Sequence, residues 1–182
     1  YADVVATCSV TGLCYVRNDS PFPFQGKVKV NTITLQDGTR NVSYEANLDM
    51  PAGAGVTQWF QIEVADPNTH VVVATVTDTD SSQMSENVLL HTLPKNITLP
   101  KTNLSVKIGE VNEDDTVDVT ILTDRVSLYT TLTTLAHGRF EDNAMLVVPP
   151  SKTVKFLPFG TLDLQLLKDT LRVEDVALYL AT

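Results

Sequence analysis

Apolar and polar residues alternate with a period of two along almost the whole chain, and no amphipathic helix pattern longer than two turns appears. Alternation of this kind sends successive side chains to opposite faces of a strand, so it predicts an all-β protein whose apolar faces meet between sheets. The clearest unit covers 26–50. Val28, Val30, Ile33 and Leu35 precede the turn Asp37-Gly38, and Val42, Tyr44, Ala46 and Leu48 alternate after it. Asp-Gly between alternating segments is a strong hairpin signal. A flexible connector follows at 51–55, then strands over 56–64 and 71–78 around the turn Asp66-Pro67-Asn68, a polar loop over 77–85, and a short strand at 87–91. About seven strands before residue 94 is the number expected of an immunoglobulin-like sandwich.

The second half repeats the pattern. Leu104, Val106 and Ile108 lead to a turn at 112–115, Val117, Val119 and Ile121 to a turn at Asp124-Arg125, and Val126, Leu128, Thr130 and Leu132 follow. Later strands are expected at 145–148, 154–157 and 171–178, with 162–168 compatible with a short helix or a strand. The reading is two immunoglobulin-like β-sandwich domains in tandem, 1–94 and 95–182, joined near 94–100.

Composition narrows the function classes. The 182 residues are 43% apolar, enough for a sizeable core, and the net charge of -9 argues against a phosphate-backbone partner, which requires clustered Lys and Arg. No apolar run approaches the roughly 18 residues of a membrane span, and the start at Tyr1 lacks the regions of a signal peptide. A secretory origin would therefore make this a mature or trimmed piece. Sequons at Asn18, Asn41, Asn96 and Asn103 favour the secretory pathway, Asn18 being the weakest acceptor because Ser20-Pro21 follows it.

Cys8 and Cys14 fit the same compartment. If 4–9 and 13–17 form a hairpin with Gly12 as the left-handed turn residue, Cys8 opposes Cys14 on a non-hydrogen-bonded site, where Cα atoms approach to about 4.5 Å, within disulfide reach. The alternative is two free thiols in a cytosolic strand. With only His70, His91 and His137 besides, all at strand ends, no four-ligand zinc site is expected, nor any other metal or cofactor.

Candidate chemistry rests on carboxylates. Asp78 with Asp80, Glu113 with Asp114 and Asp115, and Glu141 with Asp142 are pairs of the sort that glycoside hydrolysis uses, but all lie in predicted turns, where Asp ordinarily caps backbone amides. Asp78-x-Asp80-Ser81-Ser82 faintly resembles a calcium loop without its glycine and distal glutamate. No Gly-x-Ser-x-Gly elbow supports a serine triad. Of the aromatics, adjacent Trp59 and Phe60 must face opposite ways on a strand, while Phe22 and Phe24 share a side if 21–24 is extended. Phe22, Phe24 and Trp59 are read as packing against a partner domain in preference to stacking on sugar.

The corner Gly138-Arg139-Phe140-Glu141-Asp142-Asn143, followed by an apolar run, Pro149-Pro150, Thr153-Val154-Lys155-Phe156 and Pro158-Phe159, resembles the C-terminal immunoglobulin-like domain of glycoside hydrolase family 2 β-mannosidases. Tyr1-Ala2-Asp3-Val4-Val5, Tyr15-Val16-Arg17-Asn18-Asp19, Gly26-Lys27-Val28-Lys29-Val30 and the closing Leu171-Arg172-Val173 extend the resemblance over almost the whole chain. Glu141 stands where the family more often has serine, and Ala144 where glycine is frequent.

The resemblance implies a non-catalytic accessory part of an exo-acting enzyme that removes terminal β-linked mannose from oligosaccharides. The family's catalytic glutamates belong to a (β/α)8 barrel of about 250 residues, which cannot fit here, so no residue inherits a catalytic role. The implied partners are that barrel and the N-terminal domains of the same enzyme, covalent or as a processed chain, and glycans; the implied location is lysosomal, vacuolar or extracellular. The loop bearing Arg139, Glu141, Asp142 and Asn143 would lie at the substrate cleft's edge. In the corner itself, Asp142 is expected to accept backbone N–H bonds and Phe140 to anchor in the core. The rival reading is a self-sufficient secreted or surface binding protein on the same fold.

Overall fold

A computed structural model describes residues 2–53 and 56–180, the side chain of Val56 excepted. Tyr1, with which the family resemblance opens, and Ala54 and Gly55 of the predicted connector lie outside the described residues. The protein is all-β, apart from one short α-helix and two 3-10 turns among the described residues. It divides into two compact units, Tyr1–Thr34 with Thr39–Thr98, and Leu35–Gly38 with Leu99–Thr182. The division falls after Thr98 rather than after residue 94, because Thr98 N donates to Asn68 O at 2.8 Å and holds the 3-10 turn Pro94–Asn96 with the first unit.

In the first unit β1 (Val4–Cys8), β2 (Leu13–Asn18) and β5 (Val56–Gln61) form one antiparallel sheet in the order β1-β2-β5. β3 (Phe24–Thr34), β4 (Arg40–Met50), β6 (His70–Asp78) and β7 (Gln83–Leu89) form the other, ordered β4-β3-β6-β7. Val4, Ala6, Cys14, Val16 and Phe60 face Val28, Val30, Leu48, Met50, Ala74 and Val76 in one core, the sandwich that the period-two pattern implies. Each fully buried Val or Leu there contributes roughly 1.5–3 kcal/mol. β5 and β6 flank the turn at 66–68, but they belong to different sheets, so this connection crosses the sandwich instead of closing a hairpin. The predicted loop 77–85 is mostly strand: β6 continues to Asp78 and β7 begins at Gln83, with Asp78 Oδ1 accepting from Asp80 N at 3.0 Å and Ser82 N at 2.8 Å to make the turn.

A bulge in β3–β4 changes one expectation. Val30 pairs with Tyr44, but Asn31 pairs with Val42, so the residue between them is extra. Val42 is thereby exposed instead of following Tyr44, Ala46 and Leu48 toward the core. Leu35 lies in the turn, not in the strand.

The second unit is also built from two sheets. β8 (Ser105–Val111), β9 (Val117–Leu122), β13 (Ser151–Pro158) and β11 (Gly138–Phe140) pair in the order β11-β13-β9-β8, and β12 (Met145–Val147), β10 (Ser127–Thr133) and β14 (Arg172–Glu174) in the order β12-β10-β14. Val117, Val119, Ile121, Val154 and Phe156 meet Leu132, Met145 and Val147 between them. The ambiguous segment resolves as α1 (Leu164–Thr170), started by Asp163, whose Oδ1 accepts from Leu166 N at 2.9 Å. Its Leu167 is fully buried, and Leu164 and Leu171 pack against the same core at helical spacing. The strand predicted over 171–178 is only β14, replaced after Glu174 by the 3-10 turn Val176–Leu178, where Asp175 caps Ala177 N at 3.1 Å.

Candidate functional site

The corner at 138–143 is held by backbone, aromatic and side-chain contacts. Gly138 opposes Pro158 in the β11–β13 pair, and a Cβ there would run into the Phe156 ring and lie 2.6 Å from Leu157 O. No other residue fits so close to a buried aromatic. Phe140 packs edge-on against Phe156, ring centroids 5.3 Å apart, and so anchors the corner as the sequence suggests. Glu141 N donates to Lys155 O at 2.8 Å, extending the β11–β13 ladder beyond Phe140.

Asp142 turns back on its neighbours. Its Oδ1 accepts from Asn143 N at 2.8 Å, and its Oδ2 takes Lys152 Nζ at 2.9 Å. Asn143 continues a sheet with its side chain. Met145 pairs with Thr130, so in the same register residue 143 opposes Leu132. The Asn143 carboxamide supplies both rungs there, Oδ1 accepting from Leu132 N at 2.8 Å and Nδ2 donating to Leu132 O at 2.9 Å. Ala144 then takes φ +56°, the left-handed conformation that suits glycine, so alanine keeps the glycine geometry at a cost of about 1 kcal/mol. Arg139, Glu141, Asp142 and Asn143 are all exposed. The hydrogen bonds of Glu141, Asp142 and Asn143 run within the loop and to its flanking strands.

Asp114 and Asp66 are likewise committed to turns. Asp114 Oδ1 accepts Thr116 Oγ1 at 2.6 Å and Thr116 N at 3.3 Å, while Oδ2 takes Lys155 Nζ at 3.1 Å. The Thr116 hydroxyl first, then Lys155 and the Thr116 amide, hold the carboxyl down at about 2. Asp66 is held below its ordinary range by Asn68 N and then by the Thr69 hydroxyl. His70 Nδ1 meets Thr69 Oγ1 at 2.9 Å, and His137 Nδ1 meets Phe159 O at 3.0 Å. Both ring nitrogens of His91 are buried without a hydrogen-bond partner, and burial lowers its pKa. Among the described residues no group of three or more His, Cys, Asp or Glu could hold a metal ion, and no helix is long and apolar enough to cross a membrane, which leaves β-barrels untouched.

Cys8 and Cys14 are directly opposed in the β1–β2 register and form a disulfide, Cα atoms 3.9 Å apart. Gly12 supplies φ +80° in the loop between them. Of the sequons, Asn41, Asn96 and Asn103 are exposed. Asn18 is corrected: it is fully buried, its Nδ2 donating to Phe22 O at 2.9 Å and Pro51 O at 3.1 Å, so the atom that would carry a glycan is enclosed in the fold.

The aromatic expectation divides. Phe60 is buried and stacks on Tyr44 at 4.1 Å, whereas Trp59 on the opposite face is 59% exposed beside Tyr15, centroids 5.1 Å apart. Phe22 and Phe24 do not share a side. The segment bends at 20–22, where Ser20 Oγ both accepts from Phe22 N and donates to Phe22 O, leaving Phe22 71% exposed. Phe24 instead starts β3 and turns its ring over Gly26 into the core, so its reading as a partner-packing residue is corrected. Leu162 and Leu164 pack against the second unit's core, and Leu167 lies in it.

One buried polar cluster has no counterpart in the sequence reading. Asp175 Oδ2 accepts from Thr102 Oγ1 at 2.7 Å and Ser127 Oγ at 3.0 Å, and Ser127 Oγ lies 2.6 Å from Thr130 Oγ1. These residues fasten the 3-10 turn after β14 to the bulged start of β10. Polar residues in a strand at core positions 127 and 130 were the available signal.

Residues 99–177 match the Ig_mannosidase family model, an Ig-fold domain. No curated protein matches the chain. Among solved structures, a β-D-mannosidase from Dictyoglomus thermophilum is similar over 95% of this chain and 21% of its own, with 20% identity and a TM-score of 0.72. The exo-chitosanase CsxA from Amycolatopsis orientalis is similar over 96% of this chain and 25% of its own, with 13% identity and a TM-score of 0.58. The chain thus spans about a fifth to a quarter of the length of these relatives.

Proposed function

We propose that the chain is the non-catalytic accessory part of a β-mannosidase-like glycoside hydrolase, a reading supported by the match of residues 99–177 to the Ig_mannosidase family model. The carrying observation is that a fold match takes in 95% of this chain while using only 21% of a β-D-mannosidase. The catalytic barrel that cleaves terminal β-linked mannose lies outside the sequence and is the chain's partner, covalently or after processing. No side chain here performs chemistry. The role is mechanical: a stiff sandwich presents a packed face to the barrel, and the corner at 138–143 reaches the edge of its cleft.

Two observations support that division of labour. The outward face of β2 and β5 carries Leu13, Tyr15 and Trp59 together, an apolar surface of the kind that domains cover in one another. The corner at 138–143 is pinned at Gly138, Phe140 and Asn143, which holds a loop in one shape without enclosing it. The disulfide and the exposed sequons at Asn41, Asn96 and Asn103 support a secretory, lysosomal or vacuolar setting.

The test is the intact mass of the protein from its natural source, native and denatured in parallel, with β-mannosidase activity assayed on the same fraction. A barrel-sized polypeptide accompanying this chain, with activity, is expected. A lone 20 kDa species with no activity would sink the proposal in favour of a self-sufficient binding protein.

A further inference from the structure

The outer face of the β12-β10-β14 sheet carries a residue in an unusual backbone conformation. Tyr129, in the middle of β10, has φ +52°, a conformation that is a genuine outlier for a bulky side chain. It sits where the pairing of β10 with β12 shifts between Ser127 and Thr130, so a bulge re-aims it. The residues on either side, Leu128 and Thr130, are buried, yet Tyr129 is 39% exposed. The Ser127–Thr130 and Ser127–Asp175 bonds hold this bulge, and an aromatic that it leaves exposed points to a task outside the core.

Tyr129 lines a shallow cleft of about 350 Å³ together with Thr131, Glu174, Asp175, Val176 and Tyr179. Glu174 opposes Thr131 in the β10–β14 register, and the Thr131 hydroxyl donates to Tyr129 O at 3.0 Å, which leaves its oxygen as an acceptor. Tyr179 is 73% exposed, and its hydroxyl donates to Glu174 Oε2 at 2.9 Å, fixing the ring relative to the acid. Asp175 is already engaged by Thr102, Ser127 and Ala177 N, and serves to hold the cleft wall. Two planar rings, a carboxylate acceptor and a hydroxyl around one open cleft are complementary to a ligand with an apolar C–H face and a rim of hydroxyls.

We propose that this cleft is a pyranoside-binding subsite, with Tyr129 and Tyr179 supplying the stacking surfaces and Glu174 accepting sugar hydroxyls. It requires no barrel. The free chain binds sugar here whether or not it belongs to a hydrolase, so this proposal and the accessory-domain reading fail independently.

The experiment is an NMR titration of the full chain with methyl β-D-mannopyranoside, methyl β-D-glucopyranoside and glycerol. Saturable shifts confined to Tyr129, Thr131, Glu174 and Tyr179 are expected with one or both pyranosides, and none with glycerol, which lacks a ring face. Tyr129→Gly is the decisive variant: relief of the left-handed strain keeps or raises the melting temperature, while binding weakens about tenfold for loss of a stacking ring. Tyr129→Phe keeps the ring and binds within a few-fold of the parent. Absence of saturable shifts with both pyranosides, equal shifts with glycerol, or unchanged binding in Tyr129→Gly would overturn the proposal.

Discussion

Replacing Asn143 by alanine tests whether a side chain substitutes for a strand. The carboxamide makes two good hydrogen bonds with the backbone of Leu132, a residue 1% exposed near the end of β10, and its Oδ1 also accepts from Ala144 N at 3.1 Å. Each neutral bond contributes about 1 kcal/mol net, and a partly covered N–H and C=O left without partners add to the loss. The sum for Asn143→Ala is about 2–3 kcal/mol. For a unit of this size that corresponds to roughly 10–20 °C in melting temperature. The only tryptophan, Trp59, lies in the first unit, so its fluorescence reports the wrong half. Amide exchange at Leu132 and methyl NMR of the second core are the appropriate probes.

Asn143→Asp sharpens the test. A carboxylate still accepts from Leu132 N but faces Leu132 O, so its neutral form, which can donate, is favoured in the fold and its pKa rises above the usual value of about 3.9. Stability of this variant is then greatest below the unfolded pKa and falls as pH rises through the folded one. A loss under about 0.5 kcal/mol for Asn143→Ala, or unchanged Leu132 exchange, would show that water replaces the carboxamide and would refute the reasoning.

Other substitutions read other parts of the fold. Ala144→Gly is expected to stabilise the second unit by about 0.5–1 kcal/mol in urea denaturation, because the position already holds φ +56°; no gain would mean the turn costs nothing. Gly138→Ala should cost at least about 1–3 kcal/mol by pushing a Cβ into the buried Phe156 ring and Leu157 O, visible as Phe156 ring-proton shifts. Asp114 sits at about 2, so its stabilising contribution is present above the ordinary 3.8 and fades as pH falls through about 2. The stability gap between parent and Asp114→Asn should therefore close over that window, and a pH-independent gap would contradict it. Replacing both Cys8 and Cys14 by serine should lower stability by roughly 2 kcal/mol, modest because the closed loop is short, as guanidinium unfolding followed by Trp59 would report.

Sequence alone carried the all-β class and the Cys8–Cys14 pairing, because both depend on a strict period of two and on a glycine in a short turn. It carried the corner at 138–143 for a different reason: Gly138, Phe140 and Asp142 act within a few residues of one another or on the adjacent β13. A single inserted residue was enough to defeat the pattern elsewhere. The β3–β4 bulge turned Val42 outward, and the bend at 20–22 put Phe22 and Phe24 on different sides, since alternation holds only while the backbone stays extended. Helix α1 was ambiguous in sequence because seven residues carry barely two turns of period; its core contacts through Leu164, Leu167 and Leu171 decided it.

Tertiary structure alone placed the rest. Asn18 is a sequon in sequence and a buried amide bridging two backbone carbonyls in the fold. Asn143 reads as a turn residue and acts as a rung of a sheet because Leu132, eleven residues away, has no strand left to pair with on that side. Tyr129 looks like any outward strand residue until its neighbours Ser127 and Thr130 bond to each other and Ser127 to Asp175, and the bulge sets it in the lining of the cleft with Tyr179. Local periodicity fixes which residues are apolar and where strands run; register, bulges and side-chain bonds across 40 or more residues are settled only when the sheets meet.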